Sequence, residues 1–315
     1  MSKKKIALSG FWDNQIKEIS GQFPEISFQS VDDGELVLSN PDALVSLTES
    51  ALDELFVPDV LDKCTSLRWV HASSAGFERY VPYLPNVNFT LTCGRIINGP
   101  NVADHGMALL LALTRRLPWF IRGAGKNDVL RPTELRGKRA LVIGLGGIGM
   151  CLAERCAAFG MRVDAITEII MPLVSFVDRV FLRDQLTEPV SEADVVFIAA
   201  PRTPATEKMI DREVLSMMKD SAYLINLSRG SLINLDDLVE TLESGRLEGV
   251  GLDVTDPEPL SDNHPLHSFD RVLITPHVAG ITTNKSRRFE LIQTNIRRFS
   301  RGMPLVNVVD KNLGF

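Results

Sequence analysis

The sequence predicts an α/β protein of two units, in which helices cover doubly wound parallel sheets. A length of 315 residues exceeds what one ordinary hydrophobic core supports, so about two domains are expected. Short apolar runs alternate with helical stretches along the chain, and this alternation is typical of parallel sheets. One run, Ala140–Ile143, passes directly into a glycine-rich turn and a helix, which is how a doubly wound unit begins.

Residues 1–97 are predicted to form a small α/β unit of their own. A helix is expected over Ala51–Leu61, where apolar residues recur at helical spacing. The predicted strands of this unit are Ile6–Ser9, Ile26–Val31, Leu36–Leu38, Arg68–Ala72 and Asn88–Leu91.

A long helix is predicted from Asn101 to about Ile121, with Asn101 as its N-cap and Asp104 in its first turn. Its apolar middle covers nearly the whole circumference. We therefore expect both faces to be buried, between two domains or between two subunits. Gly123–Asp128 should loosen the chain before the next unit.

From Arg139 onward, strands and helices alternate regularly. A helical stretch over Cys151–Phe159 follows the first strand. Another helix is indicated by Asn234 as N-cap, by Asp236 and Asp237 in the first turn and by Gly245 at the end. The other predicted elements are strands at Arg162–Ile166, Val177–Leu182, Asp194–Ala199, Ala222–Leu227, Gly249–Asp253 and Val272–Ile274, a last helix over about Asn284–Ser300 and a last strand at Val306–Val309.

The composition excludes several classes of protein. A net charge of −6, with 44% hydrophobic and 23% charged residues, is typical of soluble globular proteins and offers no basic surface for nucleic acid. The longest apolar run, Met107–Leu113, is too short to span a membrane. Asp13 and Lys17 interrupt the first apolar segment, so no signal peptide is expected. The scattered cysteines favour buried thiols in a cytoplasmic protein over disulfides or a metal site: Cys64, Cys93, Cys151 and Cys156.

The glycine-rich turn has the spacing G-x-G-x-x-G. Gly144 allows the tight turn, Gly146 lets a pyrophosphate approach the backbone, and Gly149 permits close packing of helix on strand. The motif alone also fits a tight turn without a ligand. A strand before it, a helix after it and a second strand beyond favour a dinucleotide site, where the helix N-terminus faces the phosphates.

Three strand ends in the second half carry an arginine, a glutamate and a histidine, and the carboxyl ends of parallel strands meet at one edge. Arg229 is suited to pairing with a carboxylate, His277 to exchanging a proton with a carbonyl oxygen, and Glu258 to favouring the protonated imidazole. Taken singly, the arginine also fits a surface turn, the glutamate a solvated loop and the histidine an ordinary strand end. Together they predict hydride transfer involving a 2-keto acid.

Three stretches resemble the signatures of one family, the D-isomer-specific 2-hydroxyacid dehydrogenases. They are L-I-N-L-S-R-G around Arg229, G-L-D-V-T-D-P-E-P-L around Glu258 and T-P-H-V-A-G around His277. Ser73–Gly76 is similar to the family's substrate-carboxylate loop, and Val102–His105 to the start of its interdomain helix. The resemblance covers nearly the whole chain.

The resemblance implies roles for particular residues. Arg229, Glu258 and His277 would be catalytic, Asp253 would contact the nicotinamide amide, and Pro201–Thr206 would line the adenosine side. The implied substrate-binding residues are Ser74, Ala75, Gly76 and Arg229. The implied cofactor-binding residues are Gly144, Gly146, Gly147, Ile148, Gly149, Thr167, Glu168, Pro201, Thr206, Leu227, Ser228, Arg229, Asp253, His277 and Gly280. No metal is implied.

The resemblance also implies an architecture. Two Rossmann-like or flavodoxin-like domains are expected, a substrate and catalytic domain of residues 1–97 plus 287–315 and an inserted NAD(P)-binding domain of residues 98–286. Family members are typically homodimers joined through the long helix. That arrangement would explain its two apolar faces.

Cofactor preference is where the sequence departs from the family. The acid that normally binds the adenosine ribose should fall at Thr167, but the acid here is Glu168. A carboxylate accepts from the ribose hydroxyl of NAD and repels the phosphate of NADP. No arginine adjoins Glu168 in sequence, although Arg179, Arg183 or Arg202 could fold back over the site. We therefore expect NAD, with NADP possible.

The expected reaction is reduction of a small 2-keto acid, of the glyoxylate or hydroxypyruvate kind, to the D-2-hydroxy acid, or the reverse. Glu258 disfavours formate as substrate, because formate dehydrogenases of this superfamily carry glutamine there. The alternative is a dinucleotide-sensing interaction protein, since corepressors with the same fold carry the same three residues. The chain ends at Phe315, soon after the last predicted strand, without an appended docking tail, which favours the enzyme.

Overall fold

The computed structural model describes residues 3–31, 35–73, 76, 78–123, 131–168, 175–284 and 286–311. The chain divides into two compact units, one of Met1–Ile97 with Thr283–Phe315 and the other of Asn98–Thr282. The second boundary therefore lies at 282/283, before the last helix, and not at 286/287.

Strands and short helices alternate through the described residues. The strands are β1 (Lys4–Ser9), β2 (Ile26–Ser30), β3 (Ala43–Ser46), β4 (Trp69–Ala72), β5 (Thr90–Cys93), β6 (Arg139–Ile143), β7 (Arg162–Ile166), β8 (Arg179–Phe181), β9 (Val195–Ile198), β10 (Tyr223–Asn226), β11 (Gly249–Leu252) and β12 (Val272–Ile274). The α-helices are α1 (Asp13–Gln22), α2 (Leu36–Ser39), α3 (Ser50–Leu55), α4 (Pro58–Lys63), α5 (Gly99–Thr114), α6 (Leu117–Ile121), α7 (Gly147–Ala158), α8 (Thr187–Glu192), α9 (Arg212–Met217), α10 (Leu235–Glu243) and α11 (Ser286–Ser300). Within the described ranges, none of these helices has both the length and the hydropathy needed to cross a bilayer.

The first unit is built on a five-stranded parallel sheet of order β2-β1-β3-β4-β5. Alternate residues of β1 face opposite sides: Ile6 and Leu8 pack with Ile292 and Ile296 of α11, whereas Ala7 belongs to the cluster on the other face. Helices thus cover both faces of the sheet, which explains why successive residues of β1 are apolar.

Two expectations for this unit are wrong. Leu36–Leu38 is not a strand but lies in the single-turn helix α2, which Asn40 closes in a left-handed conformation at φ +35°. The strand that pairs with β1 here is instead β3, which the sequence pattern did not predict. The helix predicted over Ala51–Leu61 is divided into α3 and α4. Pro58 begins α4 because proline lacks the N–H that an interior position needs.

The end of the chain also differs from expectation. Val306–Val309 forms no strand; among the described residues, its sheet-like pairing is an isolated antiparallel bridge from Val308 to Thr92. Asn295 of α11 holds this segment through both polar atoms of its amide, bonded to the backbone of Val306 at 2.9 and 3.0 Å.

The second unit contains a seven-stranded parallel sheet of order β12-β11-β10-β9-β6-β7-β8. Leu141 and Ile143 pack on one face and Ala140 and Val142 on the other, so both faces are covered. The strand order reverses beside β6, with β7 on one side and β9 on the other. In doubly wound sheets, ligands bind outside the carboxyl ends of the strands at this switch point. The predicted fold class, two α/β units with doubly wound parallel sheets, is confirmed.

The predicted long helix is not continuous. It is divided into α5 and α6, because Arg116 adopts a left-handed conformation at φ +59°. Asn101 as N-cap is also wrong: α5 begins at Gly99, so Asp104 lies in the second turn. The Asn101 amide instead donates a 2.9 Å hydrogen bond to the carbonyl oxygen of Ala279.

Candidate active site

The glycine-rich turn lies between β6 and α7, at the switch point of the sheet. Gly144 has φ +97°, and a Cβ there would lie 2.6 Å from the backbone of Ala200 after β9. A Cβ on Gly149 would lie 1.9 Å from the carbonyl oxygen of Gly144. A Cβ on Gly146 would meet no described atom within 4 Å. Two glycines are thus required by packing, whereas the third leaves an open face on the backbone.

This open face fits the phosphates of a dinucleotide. The helix α7 begins at Gly147, earlier than the predicted stretch from Cys151. The predicted residues Gly147 and Ile148 therefore lie in its first turn, where backbone N–H groups and the positive end of the helix dipole favour an anion. The Gly144–Gly149 segment thus has both the space and the donors that a pyrophosphate requires.

The end of β7 carries the residues predicted to select the cofactor. The backbone N–H of Thr167 donates to the carbonyl oxygen of Phe181. The Glu168 carboxylate lies 3.1 Å from Nε of Arg183, whose guanidinium also donates to the carbonyl oxygen of Ala205 at 2.9 Å. Of the three arginines expected as candidates to fold back over the site, Arg183 is therefore the one that pairs with Glu168, which it reaches from beyond β8.

The other two candidate arginines have partners elsewhere. Arg202 pairs with Glu207 at 3.0 Å. Arg179 bonds to the buried carboxylate of Asp164 and to Glu192, both at 2.6 Å. These hydrogen bonds raise the pKa of Arg179 above its ordinary value, which indicates a structural ion pair.

The loop after β9, predicted to line the adenosine side, is held by its own residues. The Thr206 hydroxyl is buried and donates to the carbonyl oxygen of Pro201 at 2.7 Å. The backbone N–H of Thr203 donates to the same hydroxyl at 2.8 Å. Thr206 therefore fixes the shape of the loop through its side chain.

The end of β10 positions Arg229 through a residue that the sequence reasoning missed. The fully buried Asn226 donates from its amide to the carbonyl oxygen of Arg229 at 2.8 Å, and its amide oxygen accepts from the N–H of Ser228 at 3.2 Å. A Cβ on Gly230 would lie 2.0 Å from the backbone of Thr255. A polar residue at the end of an apolar strand was the available signal for Asn226.

Glu258 and His277 are brought together, as the strand ends predicted. His277 Nδ1 lies 2.8 Å from Oε1 of Glu258, and both side chains are about half exposed. An ionised carboxylate only accepts hydrogen bonds, so Nδ1 carries a hydrogen in this pair and Nε2 is the ring atom left for a substrate. Arg229, Glu258 and His277 follow the adjacent strands β10, β11 and β12, whose carboxyl ends form one edge.

Asp253 anchors the segment that carries His277. Its buried carboxylate accepts hydrogen bonds from the Thr275 hydroxyl at 2.6 Å and from the backbone N–H groups of Val278 and Ala279 at 3.0 Å. The N–H of His277 donates to the Asp253 carbonyl oxygen at 2.8 Å. The contact of Asp253 with a nicotinamide amide stays a prediction.

The other residues predicted to bind cofactor or substrate lie in both units. Leu227 and Ser228 are buried at the end of β10, and Gly280 follows the His277 segment. In the other unit, Ser74 and Ala75 lie outside the described residues, while Gly76 is half-buried. Their roles toward a substrate stay predictions.

Comparison with known proteins identifies the relatives of this chain. Residues 107–279 match the family model described as "D-isomer specific 2-hydroxyacid dehydrogenase, NAD binding domain". An uncharacterized protein from the proB 3′ region of Corynebacterium melassecola is 35% identical over 82% of this chain and 87% of its own length. Glyoxylate reductase of Thermofilum pendens is 31% identical over 86% of this chain and 82% of its own length.

A solved structure gives the same result. The crystal structure of a D-isomer specific 2-hydroxyacid dehydrogenase family protein from Aeromonas salmonicida matches with a TM-score of 0.81 at 25% identity, covering 98% of this chain and 100% of that one. The chain therefore belongs to the D-isomer specific 2-hydroxyacid dehydrogenase family and carries the NAD-binding domain of that family.

Proposed function

We propose that this protein reduces a small 2-keto acid to the D-2-hydroxy acid, or catalyses the reverse reaction. The observation that carries the proposal is the 2.8 Å hydrogen bond between His277 and Glu258, on the sheet edge that also carries Arg229. Family membership supports the reaction class, and the geometry supports the roles of the side chains.

The Gly144–Gly149 turn and the first turn of α7 would hold the dinucleotide, which when bound supplies the hydride for the carbonyl carbon. Glu258 orients the imidazole of His277 through Nδ1, so that Nε2 donates a proton to the carbonyl oxygen during reduction and accepts it during oxidation. Arg229 binds the substrate carboxylate, since a guanidinium can form two parallel hydrogen bonds with it.

We assign substrates of the glyoxylate and hydroxypyruvate kind to this site. The glyoxylate reductase relative of Thermofilum pendens supports that choice. The Ser73–Gly76 loop is proposed as a substrate-carboxylate loop, with Ser74, Ala75 and Gly76 as the contacting residues.

The test is steady-state kinetics with NADH and a panel of 2-keto acids, with chiral chromatography of the products. We expect turnover of glyoxylate and hydroxypyruvate, and a D product from hydroxypyruvate, which unlike glyoxylate gives a chiral product. Binding of NADH without turnover of any keto acid would contradict the proposal and favour the dinucleotide-sensing alternative.

We propose NAD as the preferred cofactor, with NADP accepted less well. Glu168 places a carboxylate at the end of β7, where it can accept from a ribose hydroxyl, and it also holds Arg183 in an ion pair. Replacing Glu168 by Gln would remove the repulsive charge and release Arg183 to pair with a phosphate.

This preference is measured as the ratio of dissociation constants for NADPH and NADH, by fluorescence titration. We expect a ratio above one in the wild type and a fall of about tenfold in Glu168→Gln, equivalent to about 1.4 kcal/mol. The double variant Glu168→Gln/Arg183→Gln is the control. Without Arg183, it should lose the affinity for NADPH that Glu168→Gln gains. A wild type that prefers NADPH would overturn the assignment.

We also propose that the protein is a homodimer joined through the helices α5 and α6. Leu117, Phe120 and Ile121 of α6 are 45%, 44% and 82% exposed, an apolar surface that a second copy would cover. Sedimentation analysis of the wild type and of Phe120→Glu/Ile121→Glu tests this. A wild-type monomer would contradict it.

The proposed location is the cytoplasm. All four cysteines are free, which suits a reducing compartment. Burial raises the pKa of the Cys156 thiol to about 12, so this thiol stays protonated and unreactive. Fractionation of the cells that produce the protein tests the location.

A further inference from the structure

Two polar side chains on α5 contact the segment that carries His277. Asn101 and His105 are four residues apart and therefore lie on one face of the helix. The Asn101 amide donates to the carbonyl oxygen of Ala279 at 2.9 Å. His105 Nε2 lies 2.9 Å from the Thr275 hydroxyl and 3.4 Å from a carboxylate oxygen of Asp253. One helix face thus contacts both ends of residues 275–279.

The hydrogen-bond pattern fixes which atom of His105 carries a hydrogen. Thr275 has one hydroxyl hydrogen and donates it to the Asp253 carboxylate at 2.6 Å. Towards His105 this hydroxyl can therefore only accept, so Nε2 of His105 must be the donor. The chain His105–Thr275–Asp253 runs in one direction and ends on a buried carboxylate, which also accepts hydrogen bonds from the backbone N–H groups of Val278 and Ala279.

The segment needs such anchors because of its backbone conformation. His277 has φ +53°, a left-handed conformation that residues other than glycine rarely adopt. Its N–H is shared between the carbonyl oxygens of Asp253 at 2.8 Å and Thr275 at 3.0 Å. Because the His277 side chain itself is half exposed, its placement depends on how firmly this backbone is held.

We infer that His105, with Asn101, is a positioning residue for His277. Neither residue is expected to contact the reacting atoms. Both hold the backbone of residues 275–279, which fixes the orientation of the His277 imidazole. The expected change in kcat rests on the proposed function. The hydrogen bonds of Asn101 and His105 do not depend on it, and the NMR signal of His277 reports on them directly.

The experiment compares His105→Leu, which loses the donor, with His105→Gln, whose amide can place a donor near the position of Nε2. One readout is the ring signal of His277 in histidine-labelled protein by ¹H–¹³C NMR without cofactor, assigned from its loss in His277→Gln. The other readouts are kcat, KM for the keto acid and the dissociation constant of NADH.

We expect His105→Leu to shift or broaden the His277 signal and to lower kcat by roughly 10²-fold, since a misplacement of about 1 Å costs that much. The NADH dissociation constant should change by less than about twofold, because the Gly144–Gly149 turn is untouched. His105→Gln should restore the NMR signal and most of kcat. Should His105→Leu fail to fold, Asn101→Ala removes one anchor and should move the same signal.

The matched control is Asp104→Asn, next to His105 on α5, which breaks the 2.7 Å ion pair with Arg155. It should lower thermal stability at most and leave the His277 signal and kcat unchanged. An unmoved His277 signal in His105→Leu and Asn101→Ala would overturn the inference, and so would equal losses in His105→Leu and His105→Gln. If the wild type reduces no keto acid but His105→Leu still moves the His277 signal, the positioning role is supported and the proposed function is refuted.

Discussion

The buried histidine His71 makes the stability of the first unit depend on pH. Its side chain on β4 is fully buried, and Nδ1 is 2.8 Å from the Thr92 hydroxyl. Nε2 has no hydrogen-bond partner among the described residues. Burial, with a smaller contribution from the positive charge of Arg288, lowers the pKa of His71 from 6.5 to about 4.

The sign and size of the effect follow from this shift. Between pH 6.5 and 4 the unfolded chain binds a proton at His71 and the folded chain does not, so stability falls as the pH is lowered through that range. A shift from 6.5 to about 4 corresponds to about 3 kcal/mol in total, at about 1.4 kcal/mol per pKa unit. At pH 5, about 2 kcal/mol of this stability is already lost.

The perturbation is His71→Asn, whose amide can keep the bond to Thr92 but binds no proton. Hydrogen exchange of the β4 amides, corrected for intrinsic rates, gives the opening free energy of this unit at pH 7.5 and pH 5. We expect the wild type to lose about 2 kcal/mol more than His71→Asn over this interval. Loss of packing in the variant is the same at both pH values and cancels in the difference.

The control is His267→Asn, which changes an exposed histidine in the other unit and should behave as the wild type. An equal pH dependence in the wild type and His71→Asn would refute the reasoning, because it would mean that His71 is as easily protonated in the fold as in the unfolded chain.

Three further predictions concern the second unit. Asp164→Asn should cost about 1.5–3 kcal/mol in the free energy of unfolding, because it replaces the buried carboxylate that accepts hydrogen bonds from Arg139 and Arg179 by a neutral amide; a loss well below about 1 kcal/mol, as at surface pairs, would contradict this. Gly149→Ala should destabilise the unit in thermal unfolding, whereas Gly146→Ala should keep the fold and weaken NADH binding; equal melting temperatures would speak against the packing argument. Arg229→Lys should raise KM for keto acids and lower kcat, and an unchanged KM for every acid would place the carboxylate elsewhere.

The second unit could be predicted from the sequence to a greater extent than the first. Strands and helices alternate regularly there, and the predicted strands Arg162–Ile166 and Val272–Ile274 coincide with β7 and β12. In the first unit, composition alone predicts a strand that does not form. Leu36–Leu38 has a strand-like composition, but the left-handed Asn40 closes it into a helical turn, and pairing with β1 goes to β3.

Some contacts of the candidate site could likewise be predicted from the sequence, and others could not. Glu258 and His277 could be placed together because strand ends in a parallel sheet share an edge. The contact between His105 and Thr275 joins residues 170 positions apart, and no local pattern indicates such a contact. Arg183 likewise reaches Glu168 only because the chain returns through β8, and Arg116 interrupts an otherwise regular apolar helix through its own backbone.

The most direct measurement of the central claim is kcat for a 2-keto acid that the wild type reduces, compared between the wild type and His277→Ala, with His267→Ala as the control. If His277 donates the proton, His277→Ala should lower kcat by roughly 10²–10⁴-fold while the NADH dissociation constant stays nearly constant and the control behaves as the wild type. A near-normal kcat in His277→Ala across the keto acids would contradict the account and remove His277 from the mechanism.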